Sequence, residues 1–176
     1  NELYASFSKN KEKWHYNIGG RIGQTNLKSQ IVINSAFNFP FTEINQQNLT
    51  YSVNAGIVHN TSENFILKTN IGTGYRAPNI DDLAKIFDTT TNSVLIIPNN
   101  DLGPETTITS DFGFILKSKE NKHNFEATYY YTTINNAIVT KEYSLNGVTQ
   151  IDNDNDGIMS TIFASQNEGK AFITGF

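Results

Sequence analysis

The sequence predicts an all-β fold: about seven antiparallel strands of a larger up-and-down transmembrane β-barrel, with the long loops gathered at one end. Three observations predict it. Apolar and polar residues alternate with period two over most of the chain, the pattern of a sheet with two different faces. The connections alternate in length, with short turns at 9–13, 60–63 and 118–123 and long segments at 24–48, 76–105 and 141–167. Bacterial outer-membrane barrels have short turns at one end and long loops at the other, whereas a soluble sandwich has no reason to sort its loops this way. Finally, there is no apolar run long enough for a membrane helix, so strands are the elements that would cross a bilayer.

Composition narrows the function classes. The chain has 176 residues, a formal net charge of −4 and no Cys, which excludes disulfides and thiolate chemistry. Without a basic cluster, nucleic acid is not an expected partner. Aromatic residues make up 12% of the chain, mostly Tyr and Phe, a supply suited to aromatic girdles around a barrel. The chain does not begin with Met, and both ends fall inside strand-like patterns. This predicts residues 1–176 to be a partial barrel domain, a piece of a longer protein.

The first predicted pair is Glu2–Ser8 and Trp14–Gly23, with Leu3, Ala5 and Phe7 on one face of the first strand and Trp14, Tyr16, Ile18 and Ile22 on one face of the second. Residues 24–48 read as a long loop, part of which, Gln30–Asn38, alternates and extends the sheet beyond the membrane. The second pair is Leu49–His59 and Asn64–Tyr75. Leu49, Tyr51, Val53 and Ile57 match Phe65, Leu67, Ile71, Thr73 and Tyr75. The third pair is Thr106–Lys117 and Asn124–Thr140, with Phe112 and Phe114 matching Phe125, Tyr129 and Tyr131. A seventh strand begins near Glu168. Trp14, Tyr16, Ile18, Leu49, Tyr51, Val53, Ile57, Phe65, Leu67, Ile71, Phe112, Phe114, Phe125, Tyr129 and Tyr131 are expected on one outward, lipid-facing side.

Between the second and third pairs, Pro78, Pro98 and Pro104 punctuate a structured loop, since proline cannot donate to a ladder and biases the preceding residue away from helix. Asp81-Asp82 followed by Leu83, Ile86 and Phe87 at helical spacing predicts a short helix. The loop's flanks read Tyr75-Arg76-Ala77-Pro78, then Asp82-Leu83, then Asn99-Asn100-Asp101-Leu102-Gly103-Pro104-Glu105, and Asn167-Glu168-Gly169 stands before the last strand. These segments, in this order, resemble the TonB-dependent receptors, outer-membrane transporters of Gram-negative bacteria. Asn100 departs from the pattern, which commonly has Pro there. The resemblance implies an outer-membrane location, lipid around the wall, a scarce nutrient as ligand (a siderophore, cobalamin, a saccharide or similar) and the TonB complex as energy-supplying partner. The plug domain and the TonB-contacting segment are not recognised in this sequence. Haem receptors that resemble the family often carry a His between the two motifs. None lies between Ala77 and Asn100, which disfavours haem capture by that arrangement.

Candidate sites follow. In the loop, Asn79, Asp81, Asp82, Asn99, Asn100 and Asp101 are polar residues able to face a ligand. Arg76, Pro78, Leu83, Leu102 and Pro104 are types that fix turns and fill small cores. Asp152, Asp154 and Asp156 before Gly157 match the first half of a calcium loop, although Phe163 stands where the twelfth-position Glu would be; an acidic solvated loop is the plain alternative. No resident cofactor is expected beyond that possible calcium in loop 141–167. No nucleophile elbow, phosphate loop or zinc-protease motif occurs, so the chain is not expected to be an enzyme. Alternation alone leaves open a soluble extracellular β-sandwich that binds a glycan or protein, and an outer-membrane hydrolase barrel.

Overall fold

A computed structural model describes residues 1–30, 43–89, 93–120, 122–152 and 157–176. In chain order the elements are β1 (Glu2–Lys11), β2 (Trp14–Gln30), β3 (Glu43–Asn60), β4 (Phe65–Arg76), α1 (Ile80–Ala84), β5 (Phe87–Thr89), β6 (Val94–Ile97), β7 (Glu105–Lys117), β8 (Asn124–Glu142), β9 (Gln150–Ile151) and β10 (Ser160–Gly175). The sheet order is β1-β2-β3-β4-β7-β8-β10-β6-β5, with β9 also on β10. The seven long strands β1, β2, β3, β4, β7, β8 and β10 are each antiparallel to the next, and the sheet is not closed. This is the all-β, antiparallel architecture that the alternation predicts.

Register settles the two faces. Tyr16, Ile57, Thr69, Phe112 and Tyr129 stand in one row across five strands. Trp14, His59, Leu67, Phe114 and Ala127 form the row nearer the turns, and Ile18, Ala55, Ile71, Ser110 and Tyr131 the row beyond. The predicted apolar set therefore shares one face. Many of its large members are solvent-exposed, Phe7 at 60%, Ile18 at 56% and Phe112 at 53% among them. The opposite face is polar and small: Asn17, Gly56, Asn70, Asp111 and Tyr130 form one of its rows. Among the described residues no second sheet covers the exposed apolar side, so it is not the core of a sandwich.

The short turns share one end. Asn60 donates its N–H to the Lys13 carbonyl at 2.8 Å, and Lys117 donates to the Asn64 carbonyl at 2.8 Å, so the three turns are neighbours. The first is tighter than predicted: Lys9–Lys11 belong to β1, and the chain reverses at Glu12, whose φ is 50°.

Several boundaries are corrected. Residues 24–30 and 43–48 are ladder, not loop: pairing runs unbroken from Gln24↔Leu49 to Gln30↔Glu43. The outward positions there are Gln24, Asn26, Lys28, Asn45 and Gln47; beyond hydrocarbon the outer face has no need to be apolar, so the contrast that reveals a strand disappears. The alternation over 31–38 lies outside the described residues. The last strand starts at Ser160 rather than near Glu168. The predicted helix stops at Ala84. Ile86 and Phe87 are exposed, and Phe87 pairs with Ile96 in a β-ladder instead of continuing a helical face. Only Leu83 of α1 is buried. The strands β5, β6 and β9 were not predicted; at two to four residues they are too short for periodicity to show.

Tyr75 is also corrected. The β3–β4 ladder ends at Asn54↔Gly72. Beyond it the Thr73 hydroxyl accepts from the Val53 N–H at 3.0 Å, which turns that side chain toward the neighbouring strand. Tyr75 then reaches the inner-face residues Arg21 and Glu2 rather than the lipid side.

Candidate functional site: a loop clamped to the inner wall

The chain between β4 and β7 folds back over the inner face of the β2–β3 extension. Leu83 of α1 and Leu102 bury themselves against Ile44, with Leu27, Ala84 and Ile138 packed around them. Apolar burial thus seats the loop on the wall, and hydrogen bonds fix its path. Pro78 is buried at the bend that leads into α1. Asn79 caps that helix, its Oδ1 accepting from the Asp82 N–H at 2.9 Å. The Asp82 carboxylate accepts from the Asn79 N–H at 3.0 Å. This reciprocal cap satisfies N–H groups that a helix start leaves open.

Arg76 joins both ends of the loop. Its Nη1 donates to Asp82 Oδ2 at 2.6 Å and its Nε to Glu105 Oε2 at 2.6 Å. The other Glu105 oxygen accepts from the Ile138 N–H at 2.7 Å, on β8. Arg76 is the last residue of β4, so Phe65–Tyr75 already supply the roughly 9–11 residues of a membrane span and the clamp lies beyond it. Hydrogen bonding to Arg76 holds the Glu105 carboxyl below the ordinary carboxylate range, helped by the Ile138 N–H and opposed by burial. Hydrogen bonds to Glu105 and Asp82 raise the already basic Arg76 further.

The far flank is held equally. Asn99 is buried; its amide donates to the Ser165 carbonyl at 2.7 Å and accepts from the Asp101 N–H at 3.0 Å. Gln46 of β3 donates to the carbonyls of Asn100 and Leu102 at 2.8 and 2.9 Å. Asn100 donates to the Glu43 carbonyl at 3.3 Å; a proline there could not. Its Oδ1 is buried without a partner among the described residues. Asn167 reads Gly103 twice, accepting from its N–H at 2.7 Å and donating to its carbonyl at 2.9 Å, and also donates to the Asn136 carbonyl at 2.8 Å. The separate signature segments around Arg76, Asn99–Glu105 and Asn167 are therefore one structure.

Of the six polar ligand candidates, Asn79, Asp82, Asn99 and Asn100 are engaged in folding the loop, while Asp81 and Asp101 are exposed. Gln46 was missed in sequence, because a Gln in a polar extension carries no signal of its own. So was the inner-face group of Tyr75, Arg21 and Glu2: Arg21 Nη2 bonds Glu2 at 2.6 Å and the Tyr75 hydroxyl at 3.1 Å. A second small core, Leu95, Ile97, Ile162 and Ala164, packs β6 onto β10 beside Tyr143, Leu145 and Ile151. Of the calcium candidates, Asp154 and Asp156 lie outside the described residues; Asp152 accepts from the Gly157 N–H at 3.0 Å. Among the described residues no group of three or more His, Asp or Glu is arranged to hold a metal.

The model of the TonB dependent receptor-like β-barrel family matches residues 2–176. No curated protein matches the chain. Similar solved structures include the hemophore receptor HasR of Serratia marcescens, in complex with its hemophore HasA and heme, with TM-score 0.71 and 17% identity over 99% of this chain and 30% of that one. The siderophore receptor PirA of Acinetobacter baumannii has TM-score 0.71 and 20% identity, over 99% of this chain and 24% of that one. The ferric enterobactin receptor PfeA of Pseudomonas aeruginosa, as its R480A mutant in complex with enterobactin, has TM-score 0.68 and 14% identity, over 99% and 32%. The chain thus spans about a quarter to a third of the length of these receptors.

Proposed function

Because the chain belongs to the TonB-dependent receptor-like β-barrel family, we propose that it forms part of the wall and outer rim of a bacterial outer-membrane receptor. The whole receptor would capture a scarce nutrient and import it with energy delivered through the TonB complex. The observation that supports this most is the continuous register of one apolar and one polar face across the long strands. In lipid every backbone group must be paired and the outer face apolar, and the rows from Trp14 to Ile18 across β2, β3, β4 and β7, paired on both sides, fit both demands. The chain's part is structural and recognitive, not catalytic.

Similar receptors are named for siderophores, enterobactin and heme, so an iron complex heads the nutrients to test, with cobalamin and saccharides beside it. Within the clamped loop, Asp81 and Asp101 are the residues we assign to ligand contact, since their side chains are exposed while their polar neighbours are occupied. Calcium in loop 141–167 stands as a proposal supported by the pattern Asp152, Asp154, Asp156 alone. Isothermal titration of the whole receptor tests it, and an absence of heat at millimolar calcium overturns it.

Orientation gives the direct test of the main reading. In intact cells a cysteine at Ser144 should react with an impermeant thiol reagent, and one at Thr61 should react only after the outer membrane is opened. The reverse pattern, or recovery of the protein from the soluble fraction, overturns it.

A further inference from the structure

We propose that the outward face at the turn end of β1–β3 is a docking site for the headgroup of an anionic phospholipid, held by Lys9 and Lys11. The inference rests on the membrane reading above and gives its lipid-facing wall a specific partner.

Down the outward face of β1 the residues run Leu3, Ala5, Phe7 and then Lys9 and Lys11. Register places Lys9 beside Tyr16 and Ile57, and Lys11 beside Trp14 and His59. The change from apolar to basic falls within two residues, at the strand end next to the turn. A lysine on the lipid face is costly at the bilayer midplane and costs little near the interface. Two lysines at this height therefore mark the boundary, where their stems lie along apolar surface and their ammonium groups rise to the headgroups. Both are exposed, and neither makes an ion pair with a described residue.

Beside them is a cluster of stacked aromatic rings. The Trp14 and His59 rings stack at a centroid distance of 3.9 Å, and Trp14 and Tyr16 stack at 6.1 Å with an interplanar angle of 10°. Trp14 is 40% and Tyr16 39% exposed, and such rings settle at the headgroup level of a membrane. The patch thus offers two unpaired cations above an aromatic and aliphatic surface formed by Trp14, Tyr16 and Ile57. A phosphodiester with acyl chains fits both halves: the phosphate meets the ammonium groups and the glycerol and first methylenes lie on the rings. A zwitterionic lipid brings its own cation toward the lysines and fits less well.

The whole receptor in nanodiscs tests this, with discs of phosphatidylethanolamine carrying phosphatidylglycerol as a minor component and native mass spectrometry of the lipid the protein retains. Wild-type protein should retain phosphatidylglycerol above its share in the disc. The Lys9→Gln/Lys11→Gln variant should lose that enrichment by about fivefold per lysine, while Lys119→Gln/Lys122→Gln, in another turn of the same rim, should keep it. No enrichment in wild type, full enrichment in the Lys9/Lys11 variant, or equal loss in the control variant overturns the site. Heat-modifiable mobility of the same samples separates the two readings. A protein that never inserts overturns the membrane reading and the site with it; one that inserts without preference overturns the site alone.

Discussion

Arg76 ties the two ends of the loop together. It is 45% exposed while the carboxylates it binds, Asp82 and Glu105, are 18% and 16% exposed. Removing its charge leaves two half-enclosed carboxylates close together, so the cost is lost pairing plus new repulsion. Arg76→Gln should destabilise the docked loop by about 1–2 kcal/mol, less than a buried pair because Arg76 itself reaches solvent. Hydrogen exchange in α1 should quicken by about tenfold, with the β2–β3 ladder unchanged. The sign of the pH dependence follows from Glu105, whose folded-state pKa is lowered. Its contribution is present above the ordinary carboxylate value and is lost as pH falls through the lowered one. Loop exchange should therefore stay slow at neutral pH and rise only in acid below the usual carboxylate range; in Glu105→Gln that acid step should shrink. The residue types were legible in advance: Asn and Asp favour caps and turns because their side chains compete for nearby backbone groups. Which of them the fold would occupy was not, since that depends on Ser165, Ile138 and Glu43, far away in sequence.

At the scale of elements, the contact between β8 and β10 is the least regular. The register shifts twice around Gly169, and Asn136 opposite adopts φ 54°, a left-handed value that Asn tolerates. A Cβ on Gly169 would lie 2.7 Å from the Ala137 Cβ and 2.9 Å from its carbonyl oxygen. Gly169→Ala should consequently lower the melting temperature of the β8–β10 region, and Gly169→Val more so. Asn167→Ala removes three hydrogen bonds at once, and leaving the Gly103 groups unpaired should cost about 1–3 kcal/mol. Combined with Arg76→Gln the loss should be less than the sum, because both hold the same loop. A double-mutant cycle on loop exchange reads that coupling. The long strands were legible because a lipid face and a water-facing face impose the strongest contrast that period two can show. Where the outward face is polar, as over 24–30 and 43–48, that contrast is gone and the same ladder left no trace in the pattern.

For the whole molecule the consequence of two faces is an asymmetry in what each tolerates. Leu67 lies in the row beside the short turns, whereas Ile18 lies deeper in the apolar band, so Ile18 is the position that reports the lipid core. Ile18→Lys should destabilise the intact barrel by about 2–4 kcal/mol in bilayers. Asn70→Lys, on the inner face, should change little. Urea titrations in lipid vesicles compare the two, and equal effects would count against the assignment of faces. Apart from Tyr75, the apolar face was readable from sequence; the inward lie of the loop was not, because Leu83, Leu102 and Ile44 form a core only once β3 has been extended past the membrane.

The Asn167–Gly103 contact joins residues 64 apart in the chain, and that separation sets a timetable. Arg76 can meet Glu105 once β4 and β7 have paired, and Leu83, Leu102 and Gln46 can seat the loop on β3, but the Asn167 anchor does not exist until β10 is in place. Closing so long a stretch is entropically unfavourable until the strands between have already brought its ends together. The far flank of the loop therefore stays incompletely held until β10 has paired with β8. Full docking of the loop reports that β10 has paired in register. A one-residue slip in β10 would put the wrong side chain at Gly103 and leave that flank of the loop undocked, a defect that limited proteolysis would reveal.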